Sequence, residues 1–395
     1  MTIRLLTIIG ARPQIIKAAA FSRAVAAWNS THSPETQVVE TILHTGQHYD
    51  DNMSAVFFRE LGIPEPDINL HVGSGSHGVQ TAKMIEGIEN VLLTAQNFDG
   101  VVLYGDTNST LAGAVAASKL HVPVFHVEAG LRSFNMSMPE EINRIVCDQL
   151  SSILFAPTET AMTNLRNEGF LLKDSTSALK PRCFRNGKGQ YAVLSGDVMY
   201  DNAVFFAQLA EQRSDILQRL GLKDKQFVLA TVHRPANTDD AANLTNIMTA
   251  LADIAEAGID VVLPLHPRTR KLLPEKLPAA LLQRIQGSPR LKLTDPASFF
   301  EIACLERHAK VVMTDSGGVQ KEAFFYGTPC VILRPETEWV EIVESGAGII
   351  ADADYSRIME AYKALSDRQV HFPPLFGDAH AASHILSSVI DYLRL

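Results

Sequence analysis

Short runs of consecutive apolar residues alternate with longer amphipathic stretches along most of the chain. Apolar runs typical of buried strands occupy residues 5–9, 100–104, 122–127, 227–232, 259–264 and 310–313. Between them, residues 13–28 and the alanine-rich residues 111–120 have the pattern of helices. Continuous apolar strands separated by helices are typical of parallel sheets that are covered on both faces. The pattern therefore predicts an α/β protein.

A polar segment separates the strands into two series. Residues 172–196 carry five basic side chains among Ser, Thr, Gly and Pro: Lys173, Lys180, Arg182, Arg185 and Lys188. We interpret this segment as a solvated surface loop or insertion, and a lid over an anionic substrate is the alternative. The predicted domains are residues 1–190, with a C-terminal helix at 376–395 packed back on them, and residues 191–375. Two parallel-sheet halves facing each other would form a cleft, because ligands of such sheets bind beyond the carboxyl ends of the strands.

Length and composition are those of a globular protein and exclude some function classes. The 395 residues suggest about two to three domains, and 46% of them are hydrophobic. A net charge of −9 argues against broad nucleic-acid binding, although a local anion site remains possible. No apolar run reaches about 18 residues and the N-terminus is unlike a signal peptide, so we expect a soluble cytoplasmic protein. Four widely spaced cysteines predict reduced thiols rather than a metal site or disulfides: Cys147, Cys183, Cys304 and Cys330.

The sequence TDSGGVQKEA at residues 314–323 follows an apolar run and precedes a helical stretch. Gly317 and Gly318 would let backbone N–H groups approach an anion, and the Ser316 hydroxyl would add a donor. The N-terminus of the following helix carries partial positive charge. Glu322, one turn later, could accept hydrogen bonds from both hydroxyls of a ribose. The alternative is a glycine-rich turn in which Asp315 or Ser316 simply caps the helix.

Charged side chains also follow the apolar strands of the first half. Arg12 and Lys17 come after the first strand, where they could meet a diphosphate, and ordinary surface positions are the alternative. Asp106 follows the strand at 100–104, either as a catalytic group or as a helix cap. Glu128 and Glu140 lie beyond the next strand, and grouped carboxylates shift one another's pKa values so that one serves as acid and another as base. Structural ion pairs with Arg132 and Arg144 would be the competing use of these carboxylates.

Two histidines follow apolar strands of the second half. His233 comes after the strand at 227–232, and His266 comes after the strand at 259–264. Both are therefore expected at the same edge of a sheet. No third ligand has a spacing that would suit a metal, so phosphate binding or proton donation fits these side chains better.

Taken together, these motifs resemble the non-hydrolysing UDP-N-acetylglucosamine 2-epimerases over nearly the whole chain. The matching segments, in order, are GARPQIIK (10–17), TGQHYD (45–50), GDTNSTLAG (105–113), HVEAGLRS (126–133), PEEINR (139–144), TVHR (231–234), LHP (265–267) and TDSGGVQKEA (314–323). The resemblance implies two Rossmann-like domains facing a cleft, as in the GT-B glycosyltransferases. It also implies a UDP-sugar substrate, a homodimer, and neither a metal nor a redox cofactor.

The resemblance also implies roles for individual residues. Residues implied as catalytic are Lys17, Asp106, Glu128, Glu140 and His233. Residues implied in binding UDP or the substrate are Arg12, His233, His266, Ser316, Gly317, Gly318 and Glu322. His266 and Gln47 match positions that family members use in the active-site cleft or in allosteric substrate binding. The implied reaction eliminates UDP to give a 2-acetamidoglucal and then adds UDP back with the C2 proton on the other face.

The chain departs from most plain UDP-GlcNAc epimerases at two motifs. Gln14 stands where they have Glu, and Trp339 stands where they have Arg. With residues 133–135, these differences resemble the branch that acts on UDP-2,3-diacetamido-2,3-dideoxy-glucuronate, which is the alternative substrate. Around residues 69–71 no basic residue matches the family's allosteric site. A hydrolysing epimerase, a GT-B glycosyltransferase and a silent nucleotide-sugar sensor are the competing functions.

Overall fold

The computed structural model describes residues 2–46, 64–94, 97–170 and 189–394. The chain divides into two compact units, in which unit 1 comprises Met1–Asn202 and Leu375–Leu395 and unit 2 comprises Ala203–Pro374. Gln47 and Cys183 lie outside the described residues, as do the five basic side chains between residues 172 and 188.

Unit 1 is built on a seven-stranded parallel sheet. Its strands are β1 (Ile3–Ile9), β2 (Val38–His44), β3 (Ile68–Asn69), β4 (Gly100–Tyr104), β5 (Val124–Val127), β6 (Ile153–Ala156) and β7 (Tyr191–Leu194), in the spatial order β3-β2-β1-β4-β5-β6-β7. Its helices are α1 (Arg12–Thr31), α2 (His77–Thr94), α3 (Asn108–Lys119), α4 (Pro139–Leu150) and α5 (Glu159–Asn167), with a 3-10 turn at Pro34–Thr36. Helix α6 (Val198–Arg213) contains the division between the units.

Unit 2 repeats this architecture with six parallel strands. They are β8 (Phe227–Thr231), β9 (Asp260–Pro264), β10 (Leu291–Thr294), β11 (Val311–Thr314), β12 (Cys330–Ile332) and β13 (Gly348–Ile350), in the order β10-β9-β8-β11-β12-β13. Its helices are α7 (Ile216–Arg219), α8 (Pro235–Thr238), α9 (Ala241–Glu256), α10 (Pro267–Lys276), α11 (Ala279–Gly287), α12 (Phe299–His308), α13 (Gly317–Phe325), α14 (Val340–Glu344) and α15 (Tyr355–Ser366). The chain ends with α16 (Ala381–Arg394), which belongs to unit 1.

Each sheet has a point where the strand order reverses. In unit 1 this point lies between β1 and β4, whose residues 5–8 and 100–103 pair in parallel register. In unit 2 it lies between β8 and β11. Open α/β sheets bind ligands beyond the carboxyl ends of the strands at such points. The α/β prediction with two parallel sheets is confirmed, and Arg12, Asp106, His233 and Ser316 lie just beyond the ends of these strands.

The structure differs from the sequence interpretation around residue 190. Residues 191–194, predicted as part of a surface loop, form β7 and pair in parallel with β6. The short run Tyr191–Leu194 is apolar enough to extend the sheet, and Ala192 within it is fully buried. The Gln190 side chain helps to place this strand by donating to the carbonyls of Asp148 (3.1 Å) and Ser151 (2.6 Å). Strand β7 therefore belongs to the sheet of unit 1, and the two compact units divide after residue 202.

The C-terminal helix α16 packs on unit 1 through its apolar face. Tyr392 lies edge-on against Phe125 of β5, with 5.7 Å between the ring centroids. The Asp201 carboxylate accepts hydrogen bonds from the backbone N–H groups of Ala381 (3.0 Å) and Ala382 (2.8 Å) at the first turn. Among the helices of the described ranges, none has the length and apolar character to cross a membrane.

Candidate active site

A largely buried ion pair lies at the reversal point of the unit 1 sheet. Lys17 of α1 pairs with the carboxylate of Glu128, which directly follows β5. The side chains are only 14% and 13% exposed. Gly105, which follows β4, has a φ of +63°, and a Cβ there would lie 3.2 Å from both Lys17 Nζ and Glu128 Oε2. A glycine at this position therefore lets the ion pair approach the end of β4 closely.

The electrostatic surroundings keep Lys17 charged. Burial alone lowers the pKa of Lys17, but the charge of Glu128 and the hydrogen bond to it outweigh burial and raise that pKa. Asp106 and Asp197 add to the increase. Lys17 is therefore an ammonium group at neutral pH, suited to attract negative charge and unsuited to accept a proton.

Glu128 has a strained backbone conformation. Its φ is +69°, in the left-handed region that costs a residue with a Cβ about 1–3 kcal/mol. Such strain persists only where the surrounding structure enforces it, and here the Lys17 pair and the end of β5 hold the residue. An observed outlier of this kind favours a functional role over an ordinary packing role.

Two side chains of α4 hold Asp106, namely the Arg144 guanidinium and the Asn143 amide. Arg144 pairs with the Asp106 carboxylate, and Asn143 donates to the Asp106 backbone carbonyl at 2.9 Å. Arg144 also pairs with Glu141. Arg144 is therefore an ion-pair partner of carboxylates, as the competing interpretation expected. The Asp106 side chain is still 31% exposed.

The two glutamates that open α4 differ in burial. Glu140 is exposed in the first turn, and it precedes Arg144 by four residues on the same helix face. Glu141 is buried and accepts the backbone N–H groups of Ser133 (3.0 Å) and Phe134 (2.9 Å). Burial raises the pKa of Glu141, but these hydrogen bonds and Arg144 outweigh it and lower that pKa. Glu141 therefore anchors the loop at 133–138, which leaves Glu140 as the accessible carboxylate.

A buried histidine makes hydrogen bonds at this edge of the unit 1 sheet. In β5, His126 Nδ1 lies 2.7 Å from Asp148 Oδ1 and its Nε2 lies 2.8 Å from the Gly105 carbonyl oxygen. Both partners are acceptors, so the ring is an imidazolium that donates twice. Burial lowers the pKa of His126, but Cys147 and Asp148 outweigh it and raise that pKa well above its usual value. Arg132 pairs with Asp148 at 2.7 Å rather than with a candidate catalytic carboxylate.

Gln14 ties the first loop of unit 1 to the end of β4. Its side-chain oxygen accepts the backbone N–H groups of Gly10 (2.9 Å) and Ala11 (3.2 Å). Its amide nitrogen donates to the Tyr104 carbonyl oxygen (2.7 Å) and the Thr110 hydroxyl (2.9 Å). All four hydrogen-bonding positions of the buried amide are used. Arg12, the first residue of α1, is exposed beside this loop.

In unit 2, Asp315 organises the loop after β8. The carboxylate is fully buried and accepts the backbone N–H groups of His233 (3.0 Å) and Arg234 (2.9 Å) and the side-chain amide of Asn237 (3.1 Å). His233 Nδ1 also lies 3.2 Å from this carboxylate. The suggestion that Asp315 caps the following helix is therefore wrong, since its acceptors are taken by a different loop.

The glycine-rich turn has the predicted strand-to-helix form. β11 ends at Thr314, Ser316 is the N-cap residue and α13 starts at Gly317. The Ser316 hydroxyl makes no capping hydrogen bond. A Cβ on Gly318 would meet only the Ser316 hydroxyl oxygen, at 3.9 Å, whereas one on Gly317 would lie 3.1 Å from Glu338 Oε2. Space for an anion is therefore greatest above Gly318.

Trp339 holds the start of α13 from outside. Its indole N–H donates to the Gly317 carbonyl oxygen at 2.9 Å. The Lys321 ammonium lies 4.3 Å from the centroid of the indole ring, a cation–π distance. Thr337 donates to the Gln320 side-chain oxygen at 2.6 Å. Trp339 therefore makes a directed hydrogen bond to the turn.

The structure brings the remaining unit 2 candidates close to this edge. The rings of His233 and His266 lie 6.5 Å apart between centroids, and His266 Nδ1 accepts the Arg268 backbone N–H at 3.3 Å. Glu322, in the second turn of α13, contacts the buried Glu306 of α12. Within the described part of the chain, no three His, Cys, Asp or Glu side chains are grouped so that they could hold a metal ion.

Sequence reasoning missed four residues that shape these clusters. Glu306 and Asp148 lie outside every quoted motif, and His126 and Glu141 were quoted only as parts of motifs, without a role of their own. A polar residue within an apolar run was the available signal for His126 in VFHV.

The two parallel sheets, with helices between their strands and charged or glycine-rich segments at their reversal points, define a Rossmann-like α/β fold. The chain belongs to the UDP-N-acetylglucosamine 2-epimerase family, whose sequence model matches residues 31–390. The family and the enzyme class predicted from the motifs, an isomerase, are confirmed.

Individual relatives match over nearly their full length. The UDP-2,3-diacetamido-2,3-dideoxy-D-glucuronate 2-epimerase of Pseudomonas aeruginosa is 46% identical, covering 97% of this chain and 98% of its own. A UDP-N-acetylglucosamine 2-epimerase homolog of Methanococcus maripaludis is 44% identical with the same coverage. The UDP-GlcNAc 2-epimerase of Methanocaldococcus jannaschii, solved in complex with UDP-GlcNAc and UDP, is 36% identical, covers 98% of this chain and 99% of its own, and has a TM-score of 0.72.

Proposed function

We propose that the protein is a non-hydrolysing UDP-N-acetylglucosamine 2-epimerase, which interconverts a UDP-2-acetamido sugar and its C2 epimer. The observation that carries this proposal is the group of Lys17, Glu128 and Asp106 at the carboxyl edge of the unit 1 sheet. A relative of known structure binds UDP-GlcNAc and UDP. An isomerase acting on such a substrate needs acid–base groups, and this edge carries them.

The reaction must remove a proton from an unactivated carbon, C2 of the sugar. C2 of the sugar is not next to a carbonyl group, so direct deprotonation is unfavourable. Breaking the C1–O bond gives its electron pair to UDP and leaves positive charge at C1, while a base removes the C2 proton and the C1–C2 double bond forms. UDP then adds back to the 2-acetamidoglucal and the proton is delivered to the other face. Carboxylates stabilise the charge at C1 and transfer the protons.

The unit 1 groups suit these steps. The Lys17 ammonium favours Glu128 as a carboxylate, which is the form that accepts a proton or stabilises positive charge at C1. Asp106 is partly exposed and is oriented by Arg144. Glu140 is exposed one helical turn before Arg144 and supplies a third carboxylate. Asp106, Glu128 and Glu140 are therefore assigned to the acid–base chemistry, Lys17 to keeping Glu128 ionised, and His233 to the departing phosphate.

The unit 2 groups suit the nucleotide. Backbone N–H groups at Gly317 and Gly318, with the Ser316 hydroxyl, would bind the diphosphate at the start of α13. His233 and His266 would add donors as negative charge develops on departing UDP. Arg12, a residue of unit 1, is also proposed as a donor to UDP. Glu322 would accept the ribose hydroxyls. The proposal involves no metal or redox cofactor, because the elimination and re-addition transfer only protons and UDP.

A modified sugar is the second candidate substrate. The relative from Pseudomonas aeruginosa is a UDP-2,3-diacetamido-2,3-dideoxy-D-glucuronate 2-epimerase and is 46% identical, against 36% for the UDP-GlcNAc-bound enzyme. Gln14 and Trp339, which distinguish this chain from plain UDP-GlcNAc epimerases, both make directed bonds at the two sheet edges. The proposal also includes a cytoplasmic homodimer.

Product analysis tests the proposal. The purified protein is incubated with UDP-GlcNAc or with the diacetamido uronic acid sugar nucleotide, and the products are separated by chromatography. A UDP-linked C2 epimer without free sugar is the expected product from one of them. Asp106→Asn should abolish it, and the exposed Glu86→Gln serves as a matched control. Release of free sugar with UDP would indicate a hydrolysing enzyme and overturn the proposal, as would transfer of the sugar to an acceptor.

A further inference from the structure

Glu306 is a buried acid that no family motif singles out. It lies on α12 within the core of unit 2, next to Leu305 and close to Cys330 of β12, and its side chain is fully buried. Among the described residues, no amide, hydroxyl or cationic group donates a hydrogen bond to either of its carboxyl oxygens. An ionised carboxylate in such a place costs several kcal/mol. The group is therefore a neutral carboxylic acid or has a special partner.

The partner is a second carboxyl group. α12 packs against α13, and Glu306 is in hydrogen-bonding contact with Glu322. Two carboxyl groups in contact cannot both ionise, so they share a proton. Burial and then the charge of Glu322 raise the pKa of Glu306 well above its usual value, and burial raises the pKa of Glu322 to about 7. The proton therefore resides on Glu306, which donates to Glu322.

The other charged and titratable groups around the pair do not replace this contact. Burial raises the pKa values of Tyr326 and Cys330, so both stay neutral near pH 7. Lys321 acts on Glu322 through its charge, from a position against the Trp339 ring. Arg307 acts on Tyr326. The direct hydrogen-bonding group for Glu322 is therefore Glu306.

We infer that Glu306 is a positioning residue for nucleotide binding, which as a neutral acid donates a hydrogen bond to Glu322 and orients its carboxylate toward the ribose. The inference rests on the proposed ribose role of Glu322. A carboxylate that receives one hydrogen bond from Glu306 keeps lone pairs for both ribose hydroxyls. A protonated Glu322 would use one oxygen as a donor and would accept the two ribose hydroxyls more weakly than the carboxylate does.

This arrangement makes nucleotide affinity depend on pH. Glu322 must lose its proton to accept both hydroxyls, so the affinity for UDP falls by up to about tenfold for each pH unit below its pKa. The donated hydrogen bond from Glu306 favours the ionised form. Its removal should therefore move the midpoint of this dependence to higher pH.

Two substitutions separate hydrogen bonding from packing. Glu306→Gln keeps an N–H donor of similar size, whereas Glu306→Leu keeps the volume without a donor. Dissociation constants for UDP and 2′-deoxy-UDP are measured by calorimetry between pH 6 and 8.5. Ionisation of the nucleotide phosphate is common to all variants and cancels in the comparison. Trp339 fluorescence, with Trp28 replaced by Phe, reports whether unit 2 is folded.

The expected result is that Glu306→Gln binds UDP within about threefold of the unaltered protein. Glu306→Leu should bind about tenfold or more weakly at pH 7.5, as expected for one lost hydrogen bond to a charged group. Its midpoint should lie at higher pH and its preference for UDP over 2′-deoxy-UDP should shrink. Equal binding by folded Glu306→Leu, or equal losses in both variants, would overturn the inference. No preference for UDP over 2′-deoxy-UDP in the unaltered protein would instead refute the ribose role of Glu322.

Discussion

Removing the Lys17 ammonium should destabilise unit 1 as well as stop the reaction. In Lys17→Met, the Glu128 carboxylate would stay about as buried as it is now, with 13% of its side chain exposed and without its cation. Removing one partner of a buried ion pair lowers the free energy of unfolding by about 3–5 kcal/mol. The strained φ of Glu128 would lose the contact that holds it. We therefore expect the free energy of unfolding of unit 1 to fall by about 3 kcal/mol.

Each unit contains one of the two tryptophans, which makes the measurement specific. Trp28 lies in α1 of unit 1, and Trp339 precedes α14 of unit 2. In a Trp339→Phe background, the fluorescence of Trp28 follows the urea unfolding of unit 1 alone. Lys83→Met, at an exposed position of α2, is the matched control and should change the free energy of unfolding by less than about 0.5 kcal/mol.

A double variant separates charge pairing from catalysis. Adding Glu128→Gln to Lys17→Met removes the carboxylate that lost its Lys17 partner, so the free energy of unfolding should recover to within about 1 kcal/mol of the starting protein. The turnover should stay absent, because both reacting groups are gone. A single Lys17→Met variant as stable as the Lys83→Met control, or a double variant less stable than the single one, would refute the reasoning about this pair.

Three further predictions follow from the same contacts. Changing the acid–base carboxylates one at a time to amides gives the variants Asp106→Asn, Glu128→Gln and Glu140→Gln. Each variant should lose most turnover while calorimetry still detects UDP binding, and near-normal rates in all three would contradict the mechanism. Glu322→Ala should weaken UDP binding at least tenfold, and an unchanged dissociation constant would remove its ribose role. Asp315→Asn replaces the charged acceptor of the His233 and Arg234 N–H groups by an amide. The free energy of unfolding of unit 2 should therefore fall by about 2–4 kcal/mol. Trp339 fluorescence, with Trp28 replaced by Phe, measures this change. A loss below about 1 kcal/mol would show that this loop does not depend on the carboxylate.

Apolar runs in the sequence predicted the central strands of both sheets. β1, β4, β8 and β11 are fully or almost fully buried, so the sequence reads as continuously apolar there. Strands interrupted by polar residues gave no such signal. In β2, Glu40 follows two valines, and its carboxylate accepts a hydrogen bond from Thr7 Oγ1 of β1 at 2.6 Å. That pairing across strands is a tertiary contact, which a local pattern does not contain.

The sequence predicted those site residues that come directly after apolar strands, but not the residues that hold them in place. His233 and Glu128 were located by their positions after apolar strands. The partners that hold them come from distant segments, since Asp315 lies 82 residues from His233 and Lys17 lies 111 residues from Glu128. The structural use of Glu141 rather than Glu140 depends on which side of α4 faces the loop at 133–138, and adjacent glutamates look alike in sequence.

The central claim is that the C2 proton is exchanged with solvent during epimerisation. The most direct measurement is proton NMR of the reaction in heavy water, with UDP-GlcNAc and the diacetamido uronic acid sugar nucleotide offered separately. We predict that one of them gives its C2 epimer with deuterium at C2. An epimer that retains the C2 proton, or no change in either sugar while UDP still binds, would contradict the account.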